Sequence, residues 1–169
     1  KAATLGRLLR LGLPVPDGLV LTDDAGSRFV ESAGLSGVVA DAEAALAGEG
    51  PLEPIAERIA EAFSRAPLPV EVSSIVADYV GRAGTGGAII VRSSGVGEDG
   101  GGSSFAGLLD SFPGQRSVEE VEQAVRSSWA SRWSVRSLVY QRTRGVRLGG
   151  MGVLLQQEVP AALAGILFT

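Results

Sequence analysis

Residues 88–111 read AIIVRSSGVGEDGGGSSFAGLLDS, and the fold turns on how this stretch is read. Ala88 to Val91 is a short apolar run of the kind that forms a buried strand. It delivers Arg92, Ser93 and Ser94 to its end. A loop with five glycines between Gly95 and Gly102 follows, and a second short apolar run begins near Phe105. A guanidinium offers its donors as a fork that suits phosphate oxygens. Glycine N–H groups can cradle an anion without steric cost, and Ser103, Ser104 and Ser111 add hydroxyl donors. An arginine directly after such a strand is either paired with an internal carboxylate or turned toward a ligand cleft. Its position leaves both open. The loop also reads as a surface turn, because Glu98 and Asp99 would repel phosphate unless they faced away, bound a metal or held an arginine.

Composition narrows the function classes. The chain has 169 residues, enough for one well-buried domain, and a hydrophobic fraction of 45% excludes a disordered chain. A net charge of -4 argues against a general nucleic-acid binder. No apolar run is long enough to suggest a membrane span, and prolines with an aspartate interrupt the start as they would not in a signal peptide. A cytoplasmic protein is the expectation. With no cysteine there is no disulfide and no thiolate metal site; with no histidine there is no His-based triad, His metal site or phosphohistidine in this chain. Of the 15 basic residues, all but Lys1 are arginine. A lone lysine either sits where a compact ammonium is needed or is a chain-end residue without a role, and composition alone favours the second. The lack of an initiator Met before Lys1 suggests a trimmed or partial chain.

Around the central stretch the pattern predicts an α+β fold, with helices packed on a small mixed sheet. Thr4 caps a helix over Leu5–Leu11, which Gly12 stops. Pro14 and Pro16 lead into an edge strand at Leu19–Leu21. Thr22 caps a helix over Asp23–Ala33. Three helices, Ser36–Ala47, Leu52–Arg65 and Leu68–Arg82, carry apolar residues at helical spacing: Ile55, Ile59 and Phe63, then Val72, Ile75, Val76 and Tyr79. We read this region as packing. GRAGTGG at 81–87 precedes a strand instead of following one, so it is no dinucleotide fingerprint. Phe112-Pro113-Gly114 makes a turn, and Ser117 with Glu120 forms a capping box that opens a long helix over Val118–Arg142. Trp129 and Trp133 extend its apolar stripe and read as core. Val153–Gln157 and Leu163–Phe168 are two final short strands.

Taken together, several motifs resemble a known family. They are KAATLG at 1–6, LGLPVPDGLVLT at 11–22, VRSS at 91–94, ED at 98–99, SFAG at 104–107 and Asp110. WAS at 129–131, VLLQ at 153–156, VP at 159–160 and AGILFT at 164–169 complete the set. In order and over nearly the whole length, except 34–87, they are similar to the N-terminal ATP-binding domain of the phosphoenolpyruvate synthase and pyruvate phosphate dikinase family, which includes the rifampin phosphotransferases.

The resemblance implies an ATP-grasp fold of which residues 1–169 are the first half, with a helical middle at 34–87 and nucleotide-facing segments at 1–22 and 88–169. It puts the family's phosphate-contacting lysine on Lys1 and its phosphate-contacting arginine on Arg92, the two catalytic candidates. The glycine of its loop falls on Gly107, a threonine hydroxyl on Ser111 and a glutamine near the adenine on Gln156. ATP and Mg2+ are the implied cofactors, with the metal ligands outside this chain. The implied partners are the second ATP-grasp half, a phosphohistidine domain and a substrate domain of the same enzyme; neither nucleic acid nor membrane is among them. The chain departs from the family at Gly100–Ser103, at Leu108 and Leu109 where glutamines are common, and at Gln157-Glu158 where a basic residue is frequent. The alternative is a non-catalytic ATP-grasp-like binding or structural module, which the lost glutamines and loosened loop favour.

Overall fold

A computed structural model describes residues 2–83, 87–95, 108–163 and 165. Their elements run α1 (Ala2–Arg10), β1 (Gly18–Leu21), α2 (Asp23–Ser32), α3 (Ser36–Ala45), α4 (Glu53–Arg65) and α5 (Val70–Ala83). They continue through β2 (Ile89–Gly95), β3 (Ser111–Gln115), α6 (Val118–Ala130), a 3₁₀ turn (Ser131–Trp133), α7 (Val135–Arg144) and β4 (Met151–Gln157). The architecture is α+β, as the pattern predicts. Each described strand pairing is antiparallel, in the order β1-β4-β2-β3, so the described sheet is not mixed. β1 lies at an edge, where prolines just upstream cost no ladder bonds.

Alternation along the strands gives the sheet two faces. Ile89, Val91 and Ser93 of β2, with Val153 and Leu155 of β4, point into the helical core and are buried. The core is built around an aromatic chain from four elements. Phe29 stacks on Trp129 with ring centroids 5.1 Å apart and meets Phe63 edge-on at 5.4 Å; Phe63 in turn meets Trp133 at 5.5 Å. Both tryptophans are core, as their spacing predicts. Ile55, Ile59, Val72, Val76 and Tyr79 are buried on one side of their helices, whereas Ile75 is left exposed.

Several local expectations are corrected. α1 begins at Ala2, so Thr4 lies inside the helix and does not cap it; Gly12, at φ 75°, does end the segment. Thr22 stands at the N-cap of α2 without a side-chain capping bond. β2 runs past Val91 to Gly95, because β4 pairs with it along its whole length, from Ile89↔Gln157 to Gly95↔Met151. Phe112-Pro113-Gly114 is not a free turn but part of edge strand β3, where Pro113 is tolerated and a register shift absorbs the irregularity. Glu158 steadies this strand by accepting from the Gly114 amide at 2.7 Å.

The expected helix over Val118–Arg142 is broken. Its capping box is present: Ser117 Oγ accepts from the Glu120 amide at 3.2 Å, and the Glu120 carboxylate accepts from Ser117 N at 3.1 Å. The Arg116 amide, which donates to the same carboxylate at 2.6 Å, and then the Ser117 amide hold the Glu120 carboxyl below its ordinary pKa. At the far end, Ser131 Oγ donates to Ser128 O at 2.7 Å and Ser134 adopts an extended ψ of 152°. Ser134 then caps α7, accepting from Ser137 N at 3.2 Å. The expected strand over Leu163–Phe168 falls largely outside the described residues, and no described helix is long and apolar enough to cross a membrane.

Candidate nucleotide-binding face

Ladder register collects the candidate residues on the sheet face turned away from the helical core. Arg92 lies inside β2, directly across from Ser111 of β3 on one side and Leu154 of β4 on the other. Residues paired this way project to the same side, with Cβ atoms roughly 5 Å apart. Gln156, in β4, shares that face opposite Ile90. Arg92 is half-buried, Ser111 exposed and Gln156 buried.

Among the described residues, no ion pair or side-chain hydrogen bond engages Arg92. Of the two alternatives its position leaves open, pairing with an internal carboxylate therefore has no counterpart in the described structure. The nearby acid Asp110 is engaged instead by Arg136, Nη2 to Oδ1 at 2.8 Å. A guanidinium held in the middle of a strand, with no partner among the described residues, is pre-placed for an external anion.

The start of the chain arrives at the same place. The Ala2 amide donates to Ser94 Oγ at 3.4 Å, which sets the first turn of α1 beside the end of β2. That turn carries no acidic residue, so nothing on it offsets the partial positive charge of a helix N-terminus. Lys1 and Gly107 lie outside the described residues, as do Glu98, Asp99, Ser103 and Ser104.

Gln156 is partly committed to the fold. Its Nε2 donates to Pro16 O at 3.1 Å and so ties the segment before β1 to β4. Tyr79 reinforces the join from α5, its hydroxyl donating to Asp17 O at 3.1 Å. Leu109 fills a small apolar cluster with Leu148 and Met151, which gives this departure from the family pattern a packing role beneath residues 108–110.

No group of three or more carboxylates occurs among the described residues in a position to hold a metal ion. A cavity of about 360 Å³ lies elsewhere, between α2 and α3 over Trp129 and Trp133, and none of Arg92, Ser111 or Gln156 lines it. The sheet face with Arg92 is a platform of side chains, which would need a second surface to enclose a ligand.

The family model for the pyruvate phosphate dikinase AMP/ATP-binding domain matches residues 1–169. The chain belongs to this family. It is 36% identical to a rifampicin phosphotransferase of Streptomyces sp and 32% identical to the phosphoenolpyruvate synthase of Aeropyrum pernix. It is 34% identical to the prodigiosin synthesizing transferase PigC of Serratia marcescens. All of this chain is covered in each case, against 20%, 22% and 18% of those relatives respectively. The chain thus spans about a fifth of the length of the curated relatives it matches.

For this AMP/ATP-binding domain, reading the sequence misses residues that hold the site's surroundings in place. Buried Gln141 donates from Nε2 to Arg132 O and Ser137 Oγ, both at 3.2 Å, and accepts from Leu148 N at 2.8 Å. Arg142 donates to Gly50 O and Ala45 O, both at 2.8 Å, and so caps the end of α3. Arg132 reaches Glu43 at 2.9 Å; burial lowers its pKa while Glu43 opposes that shift. The sequence offers little signal for these roles, because Gln141 and Arg142 lie in a mostly polar helix in which Leu138 is the one buried apolar residue.

Proposed function

We propose that residues 1–169 form the first half of an ATP-grasp nucleotide-binding domain in a cytoplasmic, ATP-dependent phosphotransferase resembling phosphoenolpyruvate synthase. The observation that carries this is the half-buried Arg92, without a partner among the described residues, on the sheet face where the N-terminal turn of α1 also arrives. Membership of the AMP/ATP-binding domain family supports ATP as the ligand. Lys1 and Arg92 neutralise triphosphate charge as the phosphoryl group departs, a task of positioning and electrostatics. Gly107 and Ser111 supply an amide and a hydroxyl donor at the far end of the loop, and Gln156 stands toward the base.

In this reading Mg2+ would supply further charge neutralisation at the phosphates, held by protein ligands that the family resemblance puts outside this chain. The remaining ATP-grasp half covers the platform. A histidine on another domain accepts the phosphoryl group and passes it to a small-molecule acceptor. Having no histidine, this chain cannot supply that acceptor itself.

Calorimetry with Mg-ATP on the full-length protein tests the reading. Binding that Arg92→Ala weakens about tenfold or more is the expected result. Absence of binding, or binding indifferent to Arg92→Ala, would instead support a module that keeps the half-fold without the nucleotide.

A further inference from the structure

Residues 108–110, which lead into Ser111, are gripped from two sides. From β2, fully buried Ser93 donates to the Asp110 carbonyl through its hydroxyl at 2.7 Å and its amide at 3.4 Å. From α7, Arg136 Nη2 donates to Asp110 Oδ1 at 2.8 Å and to Leu108 O at 3.1 Å. The next residue along is Ser111, opposite Arg92. Helix α7 is a firm base for this reach, since Ser134 caps it and Leu138 and Gln141 bury its inner face.

The arrangement is more specific than a surface ion pair. One guanidinium nitrogen reads both a carboxylate and a backbone carbonyl, so it fixes the path of the chain as well as a charge. Both partners are about half exposed, at 54% and 45%. Such a pair contributes little to global stability, yet it can set where a neighbouring hydroxyl stands.

We propose that Arg136 is a positioning residue for the nucleotide face, holding Asp110 so that Ser111 stands opposite Arg92. The inference rests on the ATP-binding reading. Arg136 does not touch the nucleotide; it acts through Asp110 and Ser111. Its loss therefore weakens ATP binding while leaving the fold intact.

Mg-ATP affinity and melting temperature measured on the full-length protein for Arg136→Ala, Asp110→Ala, their double variant and Arg136→Lys test this. The expected result is a Kd about fivefold or more higher in each alanine variant, with melting temperature nearly unchanged. The double variant then binds no more weakly than the weaker single one, because both remove the same contact. Arg136→Lys recovers part of the affinity, as a single ammonium can still meet Asp110. Wild-type Kd in Arg136→Ala, alongside weakened binding in Arg92→Ala, overturns the inference and leaves the ATP reading standing. Additive losses in the double variant also overturn it. If wild type binds no ATP, or Arg92→Ala has no effect, both fall together. Should Arg136→Ala fail to fold, Arg136→Lys and Asp110→Ala give the same decision.

Discussion

The Ala2 amide donates to Ser94 Oγ across 3.4 Å, so α1 begins two residues along β2 from Arg92. That helix buries none of its described residues. The hydroxyl of Ser94 thus acts on where the chain's start lies more than on how stable the domain is. Ser94→Ala is expected to leave the melting temperature nearly unchanged and to weaken Mg-ATP binding several-fold. If affinity holds in that variant, the seating of α1 on β2 has no part in nucleotide binding.

Lys1 and Arg92 are proposed to share one polyanionic target. A charge-assisted hydrogen bond contributes about 1.5–3 kcal/mol, which is roughly 10- to 100-fold in affinity. Lys1→Ala and Arg92→Ala should each weaken ATP binding within that range and steepen no salt dependence; they should make it shallower. Calorimetry at two ionic strengths checks both statements. A Lys1→Ala protein with wild-type affinity would return Lys1 to a chain-end residue without a role.

Gly26 is glycine for a steric reason. A Cβ there would sit 3.0 Å from Trp129 Nε1 and 3.3 Å from each adjoining ring carbon, directly above the indole face. Phe29, one turn on, stacks on the same indole at 5.1 Å, so the ring cannot withdraw without disturbing the core. Alanine gains up to about 1 kcal/mol in helix propensity, against about 1–3 kcal/mol for overpacking. The steric cost wins. Gly26→Ala should lower stability by about 1 kcal/mol in urea unfolding, with an unchanged m-value.

The sequence carries the core because burial leaves a periodic record. Ile55, Ile59 and Phe63 recur at helical spacing, and the structure buries all three. The break at Ser131–Ser134 leaves no such record, since Val125, Trp129 and Trp133 would suit an uninterrupted helix equally well. It depends on hydroxyls that bond locally: Ser131 to Ser128 O, and Ser134 to Ser137 N. The length of β2 is hidden for a related reason. A buried serine looks like the end of an apolar strand unless its acceptor, Asp110 O, is known. At the site, the residue type and spacing mark Arg92, whereas its lack of a described partner emerges only when Asp110 is seen bound to Arg136.

Tyr79 gives the fold an alkaline limit. Its hydroxyl donates to Asp17 O, and burial, with help from the Asp17 carboxylate, raises its pKa above the ordinary value near 10. Between the unfolded and folded values the folded state keeps the proton that the unfolded state has lost. Unfolding therefore becomes easier as pH rises. The contribution is complete below about pH 10 and is lost as pH climbs through the raised folded value. Tyr79→Phe should cost about 0.5–1.5 kcal/mol at neutral pH. Its stability should also decline less steeply than wild type above pH ~10. Parallel declines in urea titrations would remove Tyr79 as the cause.

Gln141 is the buried polar residue with most to lose on truncation. It is 1% exposed and joins three segments: Arg132 O in the 3₁₀ turn, Ser137 in its own helix and Leu148 N ahead of β4. Gln141→Leu preserves the volume but leaves the Leu148 amide and the Arg132 carbonyl without these partners. Unmet buried groups cost about 1–3 kcal/mol each, and the apolar replacement offsets only part of that. A loss of about 2 kcal/mol is expected, summing the lower estimates for the two groups. The Leu148 amide should also lose its protection from hydrogen exchange. Leu148 packs with Leu109 beneath residues 108–110, so the same variant should weaken ATP binding modestly. Full stability with an exchange-protected Leu148 amide would show that other partners replace Gln141.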